Sequence, residues 1–175
     1  MIGKGIVSID KVSESQISID SNHHEIHEGV HFFYVDYFSV AGSGILNFTL
    51  TTGDKDIHFV FSVGSDTAGF ILETYRSVVA NNDGTIIDLI NNNENSLNVS
   101  SVVCRQNPTG IVTTSAKRLR RTKSGEGGAP SSRIGGSISR SDEVVLRKNT
   151  KYLIRITNLS TTSNDINLGI GEYET

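Results

Sequence analysis

The pattern in this chain with the most explicit chemical meaning is His27-Glu28-Gly29-Val30-His31, with His23 and His24 just upstream. It matches the His-Glu-x-x-His signature of zinc peptidases. In those enzymes a helix stacks the two imidazoles on one face so that both bind one metal ion, and the Glu serves as general base. Here Gly29 and the β-branched Val30 interrupt the motif, and Phe32-Phe33-Tyr34-Val35 follows, a run that favours extended backbone. On a strand, residues four apart share a face but lie ~13 Å from one another, too far to share one zinc ion. Tyr34 and Tyr37 stand where the longer form of the motif requires Gly and a third His. The sequence therefore predicts a strand with exposed histidines and no catalytic zinc through His27, Glu28 and His31. Weak adventitious metal binding by the His23 to His31 group is the most that it leaves.

Other catalytic signatures fail sooner. The chain has no Gly-x-Ser-x-Gly elbow and no phosphate loop ending in Gly-Lys-Ser/Thr. Cys104, the single cysteine, sits in the apolar run Val102-Val103-Cys104, which predicts a small core residue with a raised pKa rather than a nucleophile. His58 falls on the polar side of an alternating run and is expected to face solvent. No cofactor motif is present, and the absence of Trp argues against stacking platforms for sugars. No apolar run is long enough to span a membrane, and the first residues lack a positive region followed by an apolar one and a cleavage site, so synthesis and folding in a cytoplasm are expected. On that expectation the glycosylation-like triplets opened by Asn47, Asn98 and Asn158 carry no meaning.

The net charge of −3 hides an asymmetry. Lys117, Arg118, Arg120, Arg121, Lys123, Arg133 and Arg140 are answered between positions 117 and 140 only by Glu126, and the rest of the chain is acidic. Such a split predicts that one end of the molecule meets an acidic surface: nucleic acid, a protein neighbour or another copy of the chain. A solvated basic loop is the plain alternative. Ordering residues 124–141, which hold five glycines, would cost on the order of 20–35 kcal/mol of backbone entropy. Residues 117–141 are therefore expected to form a mobile excursion that orders against a partner. The segment lacks interleaved aromatics and any groove-reading module, which argues against nucleic acid as that partner.

The elements that must carry these residues read as short strands. Nine to eleven alternating runs with turn signals between them, and no helical period beyond a turn or two, predict an all-β antiparallel sandwich of jelly-roll type. Residues 1–25 are expected to be an N-terminal arm or a pair of edge strands, and 26–175 a single domain with the excursion at 117–141. His31 to Val40 is dense enough in apolar residues to predict a central strand buried on both faces. The runs Leu46 to Leu50 and Ile57 to Val63 around Gly53-Asp54 predict a hairpin. So do the two runs of Asp142 to Asn158, which flank a polar turn at Arg147 to Thr150. Asp83-Gly84 suits a turn with positive φ, Asn91 to Ser96 reads as a loop whose Asn side chains bond their own backbone, and Val78 to Asn82 as one helical turn. Further strands are read at Asn98 to Arg105, Ile111 to Leu119 and Ile166 to Ile170.

Several stretches carry a resemblance. Ile26-His27-Glu28-Gly29 followed by a long aromatic strand, the Asn91 to Ser96 loop, and above all Gly135-Gly136-Ser137, Arg140-Ser141, Glu143, Leu146, Lys148, Thr150, Tyr152-Leu153 and Arg155, through Thr157 to Glu172-Tyr173, resemble a family of tailed-bacteriophage head decoration, or cement, proteins. The likeness runs in one order over most of positions 26–173. It departs at Glu94, where the family has Arg, and at Val144, where it has Trp. The resemblance implies a non-enzymatic jelly-roll protein of the virion that binds the major capsid protein on the outer surface of the head and stabilises the shell, as a homotrimer on the capsid. The parts expected to reach neighbours are the arm, residues 1–25, and the basic loop at positions 117–140, whose seven cations are the residues expected to bind the partner. A tail, baseplate or head-fibre β-domain is the nearest alternative, and a zinc hydrolase through His27, Glu28 and His31 the alternative of another class.

Overall fold

The structure, a computed structural model, describes residues 8–9, 16–17, 21–66, 68–125, 134–135 and 143–175. Runs in which every second residue is apolar have one dry face, and two such faces must cover each other. The alternating runs form two antiparallel sheets packed into a β-sandwich. In chain order the elements are β1 (Ser8–Ile9), β2 (Gln16–Ile17), α1 (Ser21–Glu28), β3 (His31–Val40), β4 (Ile45–Thr51), β5 (Ile57–Ser65), β6 (Phe70–Arg76), β7 (Thr85–Ile87), β8 (Ile90–Asn91), β9 (Val103–Gln106), β10 (Lys117–Ser124), β11 (Ile134–Gly135), β12 (Val144–Leu146), β13 (Lys151–Asn158) and β14 (Asn164–Glu174). One sheet has the order β11-β5-β14-β3-β8, with β12 also paired to β5, and the other the order β10-β6-β13-β4-β9-β7.

The pairings are nested. β3 pairs with β14, β4 with β13, β5 with β12 and β11, and β6 with β10, as if one long hairpin had been folded back on itself. Pairing of β14 with β5 and of β13 with β6 then rolls the nest into two layers. The connection between β6 and β10 supplies β7, β8 and β9, which widen the far edges. Leu46, Phe48 and Leu50 of β4, Ile57 and Phe59 of β5, Ile154 and Ile156 of β13 and Ile166, Leu168 and Ile170 of β14 fill the space between the layers. Cys104 is buried among them, and its thiol is pushed up to about 12 by that burial.

Several expectations need correction. Neither predicted hairpin exists: β4 and β5 lie in different sheets, as do β12 and β13. A turn signal reports that the chain reverses. Whether the second strand pairs with the first or crosses to the facing layer depends on the core that both strands share. The two crossing corners brace each other: Thr150 N–H donates to Thr52 Oγ1 (3.0 Å), Thr52 N–H to Thr150 O (3.1 Å) and Asn149 N–H to Gly53 O (2.8 Å).

β3 is not buried on both faces, since Val35 and Tyr37 are 69% and 65% exposed. β8 pairs only with Phe32 and Phe33, so past Phe33 the strand is an edge among the described residues. Residues 27–31 are not one strand either: α1 carries His27 and Glu28, and β3 begins at His31. Val78 to Asn82 is held by bridges from Val79 to Val112 and Asn82 to Thr109 rather than wound as a turn of helix. Within the expected excursion, positions 117–124 are the strand β10. The strand read at Asn98 to Arg105 begins only at Val103, and Val112 contributes a bridge ahead of β10. Of the expected arm, β1 and β2 pair with each other, and residues 1–7, 10–15 and 18–20 lie outside the described residues.

Candidate functional site

Five of the seven cations singled out by the sequence fall on β10, the terminal strand of its sheet. β10 runs antiparallel to β6 with Arg118 opposite Tyr75, Arg120 opposite Thr74, Arg121 opposite Glu73 and Lys123 opposite Ile71, and a bulge interrupts the register between Arg118 and Arg120. On a regular strand, residues three apart point to opposite faces. The extra residue of the bulge cancels that half-period. Arg118 Nη1 and Arg121 Nε therefore both reach Glu73 Oε1, at 3.5 and 3.4 Å.

The same register puts Lys123 on the face of Arg118 and Arg121, which turns away from the sandwich core. Arg155 of β13 shares it: its guanidinium carbon lies 6.0 Å from the Tyr75 ring centroid, and its Nε donates to Asn47 Oδ1 at 3.0 Å. Arg120 points the other way, between the layers, with its guanidinium carbon 5.9 Å from the ring centroid of Phe61. Lys117 lies opposite Arg76. Arg133 and Arg140 lie outside the described residues.

The result is a rigid basic patch rather than a loop. Arg118 and Arg121 are about half exposed and Glu73 is nearly buried. A carboxylate in that position holds two guanidinium groups side by side without cancelling them, and such partly exposed pairs add little to stability. The patch is suited to carboxylate-bearing or other anionic surfaces, for which Arg offers planar, forked donors. Charged side chains on a terminal strand also guard against indiscriminate strand pairing. Arg155 was named at the sequence level only for the resemblance, and its place in the basic patch was missed. The signal for it was present, because it occupies a polar position in the alternation of β13.

The histidines are arranged differently from the peptidase pattern. α1 stops at Gly29, whose φ of +69° turns the chain into β3. His27 and His31 therefore do not share a helix face. His27 instead stands one turn from His23, with the two Nε2 atoms 2.9 Å apart, and His24 Nδ1 lies 3.5 Å from Glu28 Oε2. Among the described residues no three His, Cys, Asp or Glu side chains are grouped as metal ligands. His58 is half-buried rather than solvent-facing: its ring stacks on Tyr173 at 4.4 Å, and its Nδ1 lies 2.5 Å from Glu143 Oε1.

A feature the sequence reading passed over is a pair of carboxylates at the end of the core. Glu172 and Glu174 continue the inward alternation of Ile166, Leu168 and Ile170 on β14, and both are buried. Ser100 Oγ donates to Glu172 Oε1 at 2.5 Å, and Ser101 N–H donates to Glu174 Oε1 at 2.5 Å. Lys55 pairs with Glu174, and that hydrogen bond holds the Lys55 pKa above its usual range. Burial pushes the Glu172 carboxyl up to about 8. These carboxylates clamp the loop that precedes β9 onto the sandwich.

Among the described residues no helix is long and apolar enough to cross a membrane. Comparison with protein-family models, with curated proteins and with solved structures finds no match to this chain.

Proposed function

We propose that this chain is a structural virion protein that binds the outer surface of a phage capsid and stabilises the head shell, without catalysis. The observation that carries the reading is the basic patch of Arg118, Arg121, Lys123 and Arg155, fixed on a rigid sandwich while the rest of the chain is acidic. Three further features support it. The first is the resemblance that runs from the Ile26-His27-Glu28-Gly29 opening to Glu172-Tyr173. The second is the nested order of strands: with the core strands numbered in sequence, first pairs with last, second with seventh, third with sixth and fourth with fifth, the order of a jelly roll, a fold used by capsid domains. The third is the chemistry of the remaining candidates, with His27 and Glu28 on α1, His31 on β3, and Cys104 buried and protonated.

The mechanism is one of linkage. A protein with affinity for the expanded lattice and little for its precursor stabilises the expanded state by mass action. The rigid sandwich bridges neighbouring capsid subunits, and the patch meets acidic side chains of the major capsid protein. Several copies on one lattice, as a homotrimer at each position, gain avidity from weak individual contacts.

Co-sedimentation of the full chain with purified expanded heads tests this. The wild type is expected to pellet with heads in low salt, and the Arg118→Gln, Arg121→Gln, Lys123→Gln variant to lose at least about tenfold in affinity. Failure of the wild type to pellet with heads, coupled with binding to isolated tails, would replace this reading with the tail or baseplate one.

A further inference from the structure

Two apolar features with no assigned role lie at opposite edges of the sandwich. The first is a prong. Leu97 and Val99, in the connection from β8 to β9, are 98% and 82% exposed. Scattered exposed apolar residues are ordinary, but this segment is pinned. Asn98, between the two, donates from Nδ2 to Gly29 O at 3.1 Å, and Asn91 Nδ2 donates to Asn98 O at 3.1 Å and to Gly29 O at 2.9 Å. Asn91 Oδ1 accepts from Asn93 N–H, Asn93 Oδ1 from Asn95 N–H and Ser96 Oγ from Asn98 N–H. The backbone is thus fixed before any partner arrives, which lowers the entropy cost of docking.

The second is a cleft of about 270 Å³ between the layers, at the edge formed by β10 and β12. Phe59, Phe61, Leu119, Val144, Leu146 and Ile154 line it, together with Arg120. Leu119 and Val144 remain partly exposed there. The prong and the cleft therefore belong to opposite edges of the same molecule.

Their charges are also opposite. From Ser77 to Val103 the chain has no Lys, Arg or His but carries Asp83, Asp88 and Glu94. Lys151 engages Asp83, while Asp88 and Glu94, on the same stretch of chain as the prong, are exposed. The cleft, by contrast, is lined by Arg120, and the same strand carries Lys117, Arg118, Arg121 and Lys123.

We infer that the Leu97 and Val99 prong of one copy docks in the β10–β12 cleft of a second copy, with Asp88 and Glu94 facing the basic strand. The contact is head-to-tail, since each copy offers a prong at one edge and a cleft at the other, so repeated docking either closes into a ring or extends. It needs no capsid, and so stands or falls separately from the proposed function.

Sedimentation velocity and native mass spectrometry on the full chain, across micromolar concentrations and in low and high salt, test the contact. The wild type is expected to associate, and added salt to weaken it. Leu97→Asp combined with Val99→Asp removes the prong, and Leu119→Asp places a charge in the cleft. Both alter exposed or half-exposed side chains, and circular dichroism checks that each variant folds. Each alone is expected to be monomeric. An equimolar mixture of the two is expected to form a one-to-one complex that grows no further, because only one intact prong and one intact cleft remain to meet. A monomeric wild type in low salt, a prong variant that associates as the wild type does, or folded variants whose mixture stays monomeric would each overturn the inference.

Discussion

Glu172 is the side chain whose chemistry the fold alters most. It lies fully buried at the end of the β14 alternation, with Ser100 on Oε1 and no hydrogen-bond partner at Oε2 among the described residues. Its pKa of about 8 in the fold stands well above the ordinary value near 4.5. Between those two values the unfolded chain gives up a proton that the folded chain keeps, so stability declines as pH rises through this window and is level on either side of it. Glu172→Gln keeps the shape and removes the titration. It is expected to raise the unfolding free energy at pH 8 by on the order of 2 kcal/mol and to flatten the slope between pH 5 and pH 8, as urea melts across that range would report. A variant as pH-dependent as the wild type would contradict the assignment.

Asn158, which the triplet pattern marks only as a glycosylation look-alike, is a buried bracket. Its Nδ2 lies 3.0 Å from each of Val40 O, Ala41 O and Thr162 O, and its Oδ1 accepts from Ser160 N–H at 2.9 Å. Asn158→Ala leaves these groups without that partner and is expected to destabilise the protein by on the order of 2–4 kcal/mol, measured as a loss in chemical-denaturation free energy. A change within experimental error would show that the corner rearranges without cost.

At the scale of elements, the strands were largely legible and their partners were not. Ile57, Phe59 and Val63, or Tyr152, Ile154 and Ile156, announce a strand by alternation alone, and the Asn91 to Ser96 loop bonds its own backbone as its composition predicts. Nothing in Gly53-Asp54 or Arg147 to Thr150 distinguishes a hairpin from a crossing, because in both cases the apolar alternates face the same core. Of β10 only the start was legible, where the strand read at Ile111 to Leu119 overlaps it, and the rest was hidden for another reason. As a terminal strand with a bulge it buries almost nothing, so Leu119 is its only apolar residue and the alternation is broken at the bulge. The helix α1 was masked by a polar, histidine-rich composition that gives no apolar stripe, although Gly29 marked its end. The two carboxylates of β14 were within reach, since extending the period of Ile166, Leu168 and Ile170 by two further steps lands on Glu172 and Glu174.

The corner from α1 into β3 depends on Gly29 in two ways. Its φ is +69°, and a Cβ there would sit 2.2 Å from Ser96 Oγ. Gly29→Ala is therefore expected to cost about 1–3 kcal/mol and to loosen the loop that Asn91 and Asn98 tie to Gly29 O. Thermal melts together with hydrogen exchange at positions 91–99 would register both effects. A variant with wild-type stability and protection in that loop would show that the corner does not hold it.

At the scale of the whole molecule, charge and rigidity point the same way. A sandwich with a basic patch at one edge and acidic side chains at the other has a built-in direction, which the proposed binding to an anionic lattice would use. Among the described residues the histidines are spread over three elements, His23, His24 and His27 on α1, His31 on β3 and His58 on β5, while Glu172 and Glu174 of β14 lie in the core. The proposed function is recognition of a surface, and recognition by charge has a signature in salt.

The most direct measurement is quantitative co-sedimentation of the full chain with expanded heads and with unexpanded procapsids, each over a range of salt. Saturable, salt-weakened binding to expanded heads is expected, with markedly weaker binding to procapsids and loss of at least about tenfold in affinity for the Arg118→Gln, Arg121→Gln, Lys123→Gln variant. Absence of binding to expanded heads in low salt, or equal binding by wild type and variant, would contradict the proposed function.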